Sequence, residues 1–245
     1  MVFAEDQVIT FHGRIAIFAG KRKYLVMLFF ECCCQSVDDA LEAQKGGAKR
    51  IELCERLDVG GVTPRAELIK EVLGCVSIPV NVLVRPREGD FVYDEEEGEA
   101  IIDVIERCKA LGVNGIVVGA LNKDGDIDMP LMRRFIEAAR PLEVTFHRAF
   151  DECREPKRAL EDIITLGCNR LLTSGQAPSA PEGAALIKEL IDQANGRIII
   201  MPGAGIKPEN ISALVQATGA SEYHGSAHGV SGFTEYLVVR DIVNG

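Results

Sequence analysis

The sequence predicts an α/β protein folded as one (β/α)8 barrel, the TIM barrel, and three observations carry that expectation. Short β-rich runs alternate with amphipathic stretches along most of the chain. Four segments, "GGAKRIELC", "LGVNGIVVG", "LGCNRLLTS" and "TGASEYHGS", share a Gly, a small residue, two linking residues and a strand. The length of 245 residues suits a single barrel of about 250. Two βα pairs repeated four times would give such a recurrence, whereas an open doubly wound sheet has no reason for it.

Residues 1–26 fall outside the repeat, and the barrel is expected over 27–245. Within the extension, "DQVITFHGRIAIF" reads either as a hairpin around His12-Gly13 that plugs the barrel's N-terminal mouth or as a non-native start before Met27. His12 reads as a turn residue. Strands are then expected at 28–33, 50–54, 79–87, 115–121, 143–150, 170–175, 197–203 and 222–227. Helix starts are signalled by Ser36 before "VDDALEA", by Thr63-Pro64 before "RAELIKEVL" and by Lys207-Pro208 before "ENISALVQA". Gly47, Gly112, Gly167 and Gly219 stand where a helix ends on a left-handed residue, just ahead of strands two, four, six and eight.

Hydrophobic residues make up 47% and charged residues 26% of the chain, as in ordinary globular proteins. A net charge of −10 argues against nucleic acid and anionic membranes as partners, which require clustered Lys and Arg. "KRKYLVMLFFECCC" starts like a signal peptide, but Glu31 cuts the apolar run short, and no small-residue cleavage site follows. The run is also too short to span a bilayer. The eight cysteines lack the spacing of a disulfide scaffold, so a reducing, cytoplasmic location is expected.

Function in a barrel sits at the C-terminal strand ends. Here those ends carry Glu31 and Cys33, Glu52 and Cys54, Arg85 and Arg87, His147, Arg148 and Asp151, Thr173 and Ser174, and His224 and Ser226. Period-two alternation puts Glu31 and Cys33 on one face of the first strand and Cys32 and Cys34 on the other, toward the helix layer. The second strand repeats the Glu-x-Cys spacing, so Cys33 and Cys54 fall on neighbouring strands about 4.8 Å apart. Two thiolates with few other ligands suit Cu(I) better than Mg²⁺ or Ca²⁺, and two inert thiols in a barrel layer are the alternative. Cys75, Cys108, Cys153 and Cys168 fall at helical or loop positions and read as structural or incidental.

Glu31 and Glu52, if both point inward, need a cation or an arginine between them, and Arg85, Arg87 and Arg148 could serve. His147 is a candidate general acid or base. These residues form a candidate catalytic set of Glu31, Glu52, Arg85, His147 and Arg148, or else a buried structural ion network. "MPGAGIKPEN" places glycines after strand seven, the usual barrel position for a phosphate, so Gly203, Gly205 and Ser226 form a candidate anion site.

With these motifs in view the chain resembles the CutC family of copper homeostasis proteins over about residues 27–227. The resemblance rests on "E-x-C-x-x-S" at 31–36, "GGAKRIELC" at 46–54, "GGVTP" at 60–64, "RPREGDFVY" at 85–93, "VTFHRAFD" at 144–151, "LTSG" at 172–175 and "MPGAGI" at 201–206. It implies a cytoplasmic TIM barrel concerned with copper, with Cys33 and Cys54 as Cu(I) ligands and Cu(I) as the bound metal. It implies no settled reaction. The chain departs from the family at Gln35, where Asp is usual, at Cys32 and Cys34, where aliphatic residues are usual, and in a short segment after "HGSAH" that would leave one side of the barrel partly uncovered. An enzyme acting on a small anionic metabolite, phosphorylated ones included, is the competing reading, and a homo-oligomer is left open.

Overall fold

The structure is a computed structural model that describes residues 7–11, 14–19, 22–25 and 28–245, with side chains from residue 28 onward. Three N-terminal strands, β1 (Gln7–Phe11), β2 (Arg14–Ala19) and β3 (Arg22–Leu25), pair antiparallel in chain order. The expected turn residues His12 and Gly13 lie outside the described residues.

The remaining strands are β4 (Phe29–Cys34), β5 (Arg50–Leu53), β6 (Val80–Leu83), β7 (Gly115–Val118), β8 (Glu143–Phe146), β9 (Arg170–Thr173), β10 (Ile199–Pro202) and β11 (Glu222–Gly225). All are parallel and pair in chain order from β4 to β10, with β11 beside β4. A lone parallel bridge between Gly203 and His224 closes the ring between β10 and β11. Each strand is followed by a helix: α1 (Val37–Gly46), α2 (Ala66–Cys75), α3 (Glu95–Leu111), α4 (Met129–Ala139), α5 (Pro156–Leu166), α6 (Ala184–Ala194), α7 (Ile211–Thr218) and α8 (Tyr236–Asn244). The expected single (β/α)8 barrel is what forms.

Local chemistry accounts for the helix ends. Ser36 Oγ accepts from Asp39 N at 3.0 Å and starts α1, and Asp94 forms a reciprocal capping box with Glu97 at the start of α3. Gly47, Gly112, Gly167 and Gly219 all take positive φ, from 66° to 99°, where an L side chain would be strained. Two expected starts move, α2 to Ala66 and α7 to Ile211. Thr63 does not cap α2, because its hydroxyl donates to Arg85 O and accepts from Arg85 N across to the neighbouring βα loop. Lys207-Pro208 forms a turn in which Asn210 Oδ1 accepts from Lys207 N, and α7 begins only at Ile211.

The large apolar core lies between barrel and helices and contains Cys32 and Cys34, while a small one inside the barrel contains Cys33, Cys54, Leu83 and Val117. The alternation read along the first barrel strand therefore holds. The side expected to be uncovered is closed by α8, which lies on α1 so tightly that a Cβ on Gly46 would meet Val239 Cβ at 2.5 Å. What stays open is the loop before α8, where Val230 and Phe233 are exposed.

Candidate metal and ligand site at the barrel mouth

Cys33 and Cys54 meet inside the barrel with their sulfurs 3.4 Å apart. Cys33 Sγ also lies 3.6 Å from Glu52 Oε1. Both thiols are buried, and the contact with Cys54 together with burial pushes the Cys33 thiol well above its ordinary pKa. Cys32 and Cys34 instead contact backbone carbonyls on the helix side, among them Ser226 O at 3.6 Å from Cys32 Sγ.

Register brings the next members in. Cys33 is paired with Glu52, Glu31 with Arg50, and His224 with Glu31, so β11, β4 and β5 present a contiguous patch of chemistry. His224 Nδ1 bonds Glu31 Oε1 at 2.8 Å and lies 4.0 Å from Glu52 Oε2. Donor atoms of Cys33, Glu52 and His224 all fall within 4.8 Å of one another.

The two glutamates have opposite fates. Burial alone would raise the Glu31 carboxyl, but the Arg50 guanidinium and His224 outweigh it and hold it at about 2. Burial and the nearby Glu31 charge push Glu52 up to about 7, with His224 offsetting part of the rise. Burial would lower His224, yet Glu52 and Glu31 together raise it. Glu52 Oε2 is buried without a hydrogen-bond partner.

Below this layer lies an ion network. Arg50 Nε bonds Glu31, Arg50 Nη2 bonds Glu222 Oε2 at 2.6 Å, and Arg170 reaches Glu222 Oε2 at 2.8 Å and Glu143 Oε2 at 2.6 Å. Arg50, Arg170 and Glu222 begin β5, β9 and β11, at the strand ends opposite those where the sequence places function. The signal was present in the same alternation, which carries Glu52 back to Arg50 and His224 back to Glu222.

Above the layer opens a cavity of about 1160 Å³ lined by Cys33, Glu52, Arg85, His147, Arg148 and His224, with Gly205 and Ser226 at its edge. Arg85 donates to the carbonyls of Val59, Gly61 and Gly89, while its buried Nε has no partner. His147 Nδ1 accepts from Ala149 N at 3.2 Å, which leaves the proton on the buried and unpartnered Nε2. Burial and the Arg85 charge lower His147 to about 3, so its ring is neutral. Arg148 bonds Asp151 Oδ2 at 2.8 Å and Ser174 Oγ at 3.2 Å. Three candidates, Glu31, Cys54 and Gly203, stand apart from the cavity, Cys54 being fully buried beside Cys33. Glu31 is fully buried beneath His224, and Gly203 donates its N–H to Thr173 O in the barrel wall. Arg87 faces outward, tied to Glu97 and Asp90.

The CutC family model matches residues 28–229, and a CutC family protein of Parabacteroides distasonis is 53% identical over 201 residues, covering 82% of this chain and 83% of that one. The chain belongs to the CutC family. A CutC protein of Chromobacterium violaceum is 49% identical over 199 residues, covering 81% of each chain. The crystal structure of the CutC protein of Streptococcus agalactiae, assigned by name to copper homeostasis, superposes with a TM-score of 0.78 at 33% identity, over 82% of this chain and 99% of that one. Phosphoribosylanthranilate isomerase of Thermotoga maritima, at 14% identity and TM-score 0.60, shares the barrel fold alone. Among the described residues of this CutC chain no helix is long and apolar enough to cross a membrane.

Proposed function

We propose that this CutC protein binds Cu(I) at the barrel mouth through Cys33 and Cys54 and acts in cytoplasmic copper homeostasis. The observation that carries the reading is the pair of buried sulfurs 3.4 Å apart, soft donors held where oxidants and water have little access. A copper ion must displace the thiol protons, so binding strengthens as pH rises. Competition against a Cu(I) chelator under reducing conditions tests the proposal. Cys33→Ser and Cys54→Ser should each lose most Cu(I) affinity, and Cys32→Ser, altered on the helix side, should keep it. Equal loss in all three variants would reduce the result to nonspecific thiol binding.

A second reading, an enzyme for a small anionic metabolite, is favoured by one specific observation. Glu52 Oε2, Arg85 Nε and His147 Nε2 are all buried without hydrogen-bond partners, and all three residues line one cavity. Such a ligand would meet Glu52, Arg85, His147 and Arg148 directly, with Gly205 and Ser226 nearby, whereas Glu31 would act only through His224. Calorimetry with inorganic phosphate should detect binding that Arg148→Ala weakens by about tenfold or more, the loss of one charge-assisted bond. Heats indistinguishable from buffer dilution at high phosphate would remove this reading.

A further inference from the structure

Where the loops after β10 and β11 meet, the cavity wall is largely main chain. The N–H groups of Gly205, Ile206, Ser226 and Ala227 have no hydrogen-bond acceptor among the described residues, whereas that of Gly203 is taken by Thr173 O. Ile206 and Ala227 are buried residues, and buried backbone donors are nearly always paired, so open amides here mark a place kept for an acceptor. The two loops touch, since a Cβ on Gly225 would lie 3.7 Å from Ile206 Cβ. Their turns hold two alanines in the left-handed region, Ala204 at φ 75° and Ala227 at φ 50°, a strain that gathers at ligand-binding turns. Turns of this kind make concave surfaces of amides that accept anions. Lys207 and Glu209 on the same wall carry opposite charges, so the positive character of the concavity comes from its amides.

His224 looks into the cavity from the same strand. Its Nδ1 is bound to Glu31 at 2.8 Å, and Glu31 is buried beneath it and tied to Arg50. The two nitrogens of an imidazole point apart, so Nε2 is turned away from Glu31 toward the mouth, where it has no hydrogen-bond partner among the described residues. The residue is only 8% exposed, and a polar atom so enclosed and so firmly oriented is set to meet a ligand. His224 and Ser226 are two residues apart on one face of the chain, which separates them by roughly 6.6 Å. A chain of about three carbon atoms bridges that distance.

We infer that the mouth takes a small phosphate monoester, its phosphate on the amides of Gly205, Ile206, Ser226 and Ala227 and a carbonyl or hydroxyl of its carbon chain on His224 Nε2. This rests on the reading of the mouth as an enzyme for an anionic metabolite and names the substrate class. Four donors from two loops suit the three terminal oxygens of a phosphate better than the two of a carboxylate. Neither the amides nor His224 Nε2 is needed by a copper ion on Cys33 and Cys54.

Amide NMR of the reduced, ¹⁵N-labelled full chain, titrated with inorganic phosphate and separately with glycerol 3-phosphate, tests the inference. Phosphate should move the resonances of Gly205, Ile206, Ser226 and Ala227 most, and saturably. Ser226→Asp, which brings a carboxylate to the concavity, should weaken binding by about tenfold or more. Glycerol 3-phosphate should in addition move the His224 ring resonances, and glycerol alone should move neither set. His224→Gln should weaken glycerol 3-phosphate by about fivefold, the loss of one hydrogen bond, and leave inorganic phosphate unchanged. Amide spectra unchanged away from the two loops show that each variant is folded, and the shift map of the parent protein needs no variant. Phosphate that shifts chiefly the surroundings of Arg148, with full affinity in Ser226→Asp, overturns the amide site and leaves the anionic-metabolite reading standing. Glycerol 3-phosphate bound equally by His224→Gln overturns the placing of the carbon chain. No saturable shift at high phosphate removes both the inference and the reading on which it rests.

Discussion

Glu52 and Glu31 lie one barrel layer apart and pull stability in opposite directions with pH. The Glu52 carboxyl, ordinarily near 4.3, is raised to about 7 in the fold, so its contribution is complete below about pH 4 and is lost as pH rises through 7. Glu31, held at about 2, contributes above about pH 4 and is lost as pH falls toward 2. Glu52→Gln should therefore raise the melting temperature of the metal-free protein at pH 8, by about 2–4 °C for each kcal/mol recovered, and flatten its dependence between pH 5 and 8. Glu31→Gln should destabilise by about 3–5 kcal/mol at pH 7, because Arg50 keeps a buried charge and loses a partner. Thermal unfolding across pH 4 to 8 checks both, and a Glu52→Gln protein that melts lower at pH 8 would contradict the first. The alternation of Glu31 and Cys33 against Cys32 and Cys34 was legible in the sequence because period two needs no tertiary information. The use of Arg85 was not, because its partners are carbonyls of Val59, Gly61 and Gly89 in loops whose course depends on the whole mouth.

At the scale of elements, cap chemistry was readable wherever it was local. Ser36 needs only Asp39 three residues on, and the glycines that end α1, α3, α5 and α7 need only their own φ. Thr63 misled because its hydroxyl is taken by Arg85, 22 residues away, in the adjacent βα loop. The contact of α8 with α1 is likewise nonlocal, since it depends on Gly46 having no side chain beneath Val239 and Tyr236 O. Gly46 is the last residue of α1, where alanine propensity alone would stabilise by at most about 0.5–1 kcal/mol. Overpacking outweighs that gain, so Gly46→Ala should destabilise by a net of about 1–2 kcal/mol, read as a lower denaturant midpoint with an unchanged slope. An Ala variant as stable as the parent would show that α8 can shift without cost.

At the scale of the molecule, the fourfold Gly motif made the barrel legible before any site residue was considered, because each copy punctuates the same helix-to-strand junction. Residues 28–245 contain all eight barrel strands, the helix after each and the family match, so a protein beginning at Met27 should unfold cooperatively with a melting temperature close to that of the full chain. A broad transition, or a fall of more than about 5 °C, would make the preceding segment part of the stable unit. The ring is fastened unevenly. Seven of its junctions carry a run of paired residues, and the eighth, between β10 and β11, rests on the bridge from Gly203 to His224. Breathing at that seam would part β11 from β10 while its pairing with β4 holds, so His224, the residue at the bridge, loses one of its two flanking strands each time the ring opens. Amide exchange along β10 and β11 should then speed up on warming, and an ion held against Cys33 should slow exchange along the seam well beyond the residues that touch it.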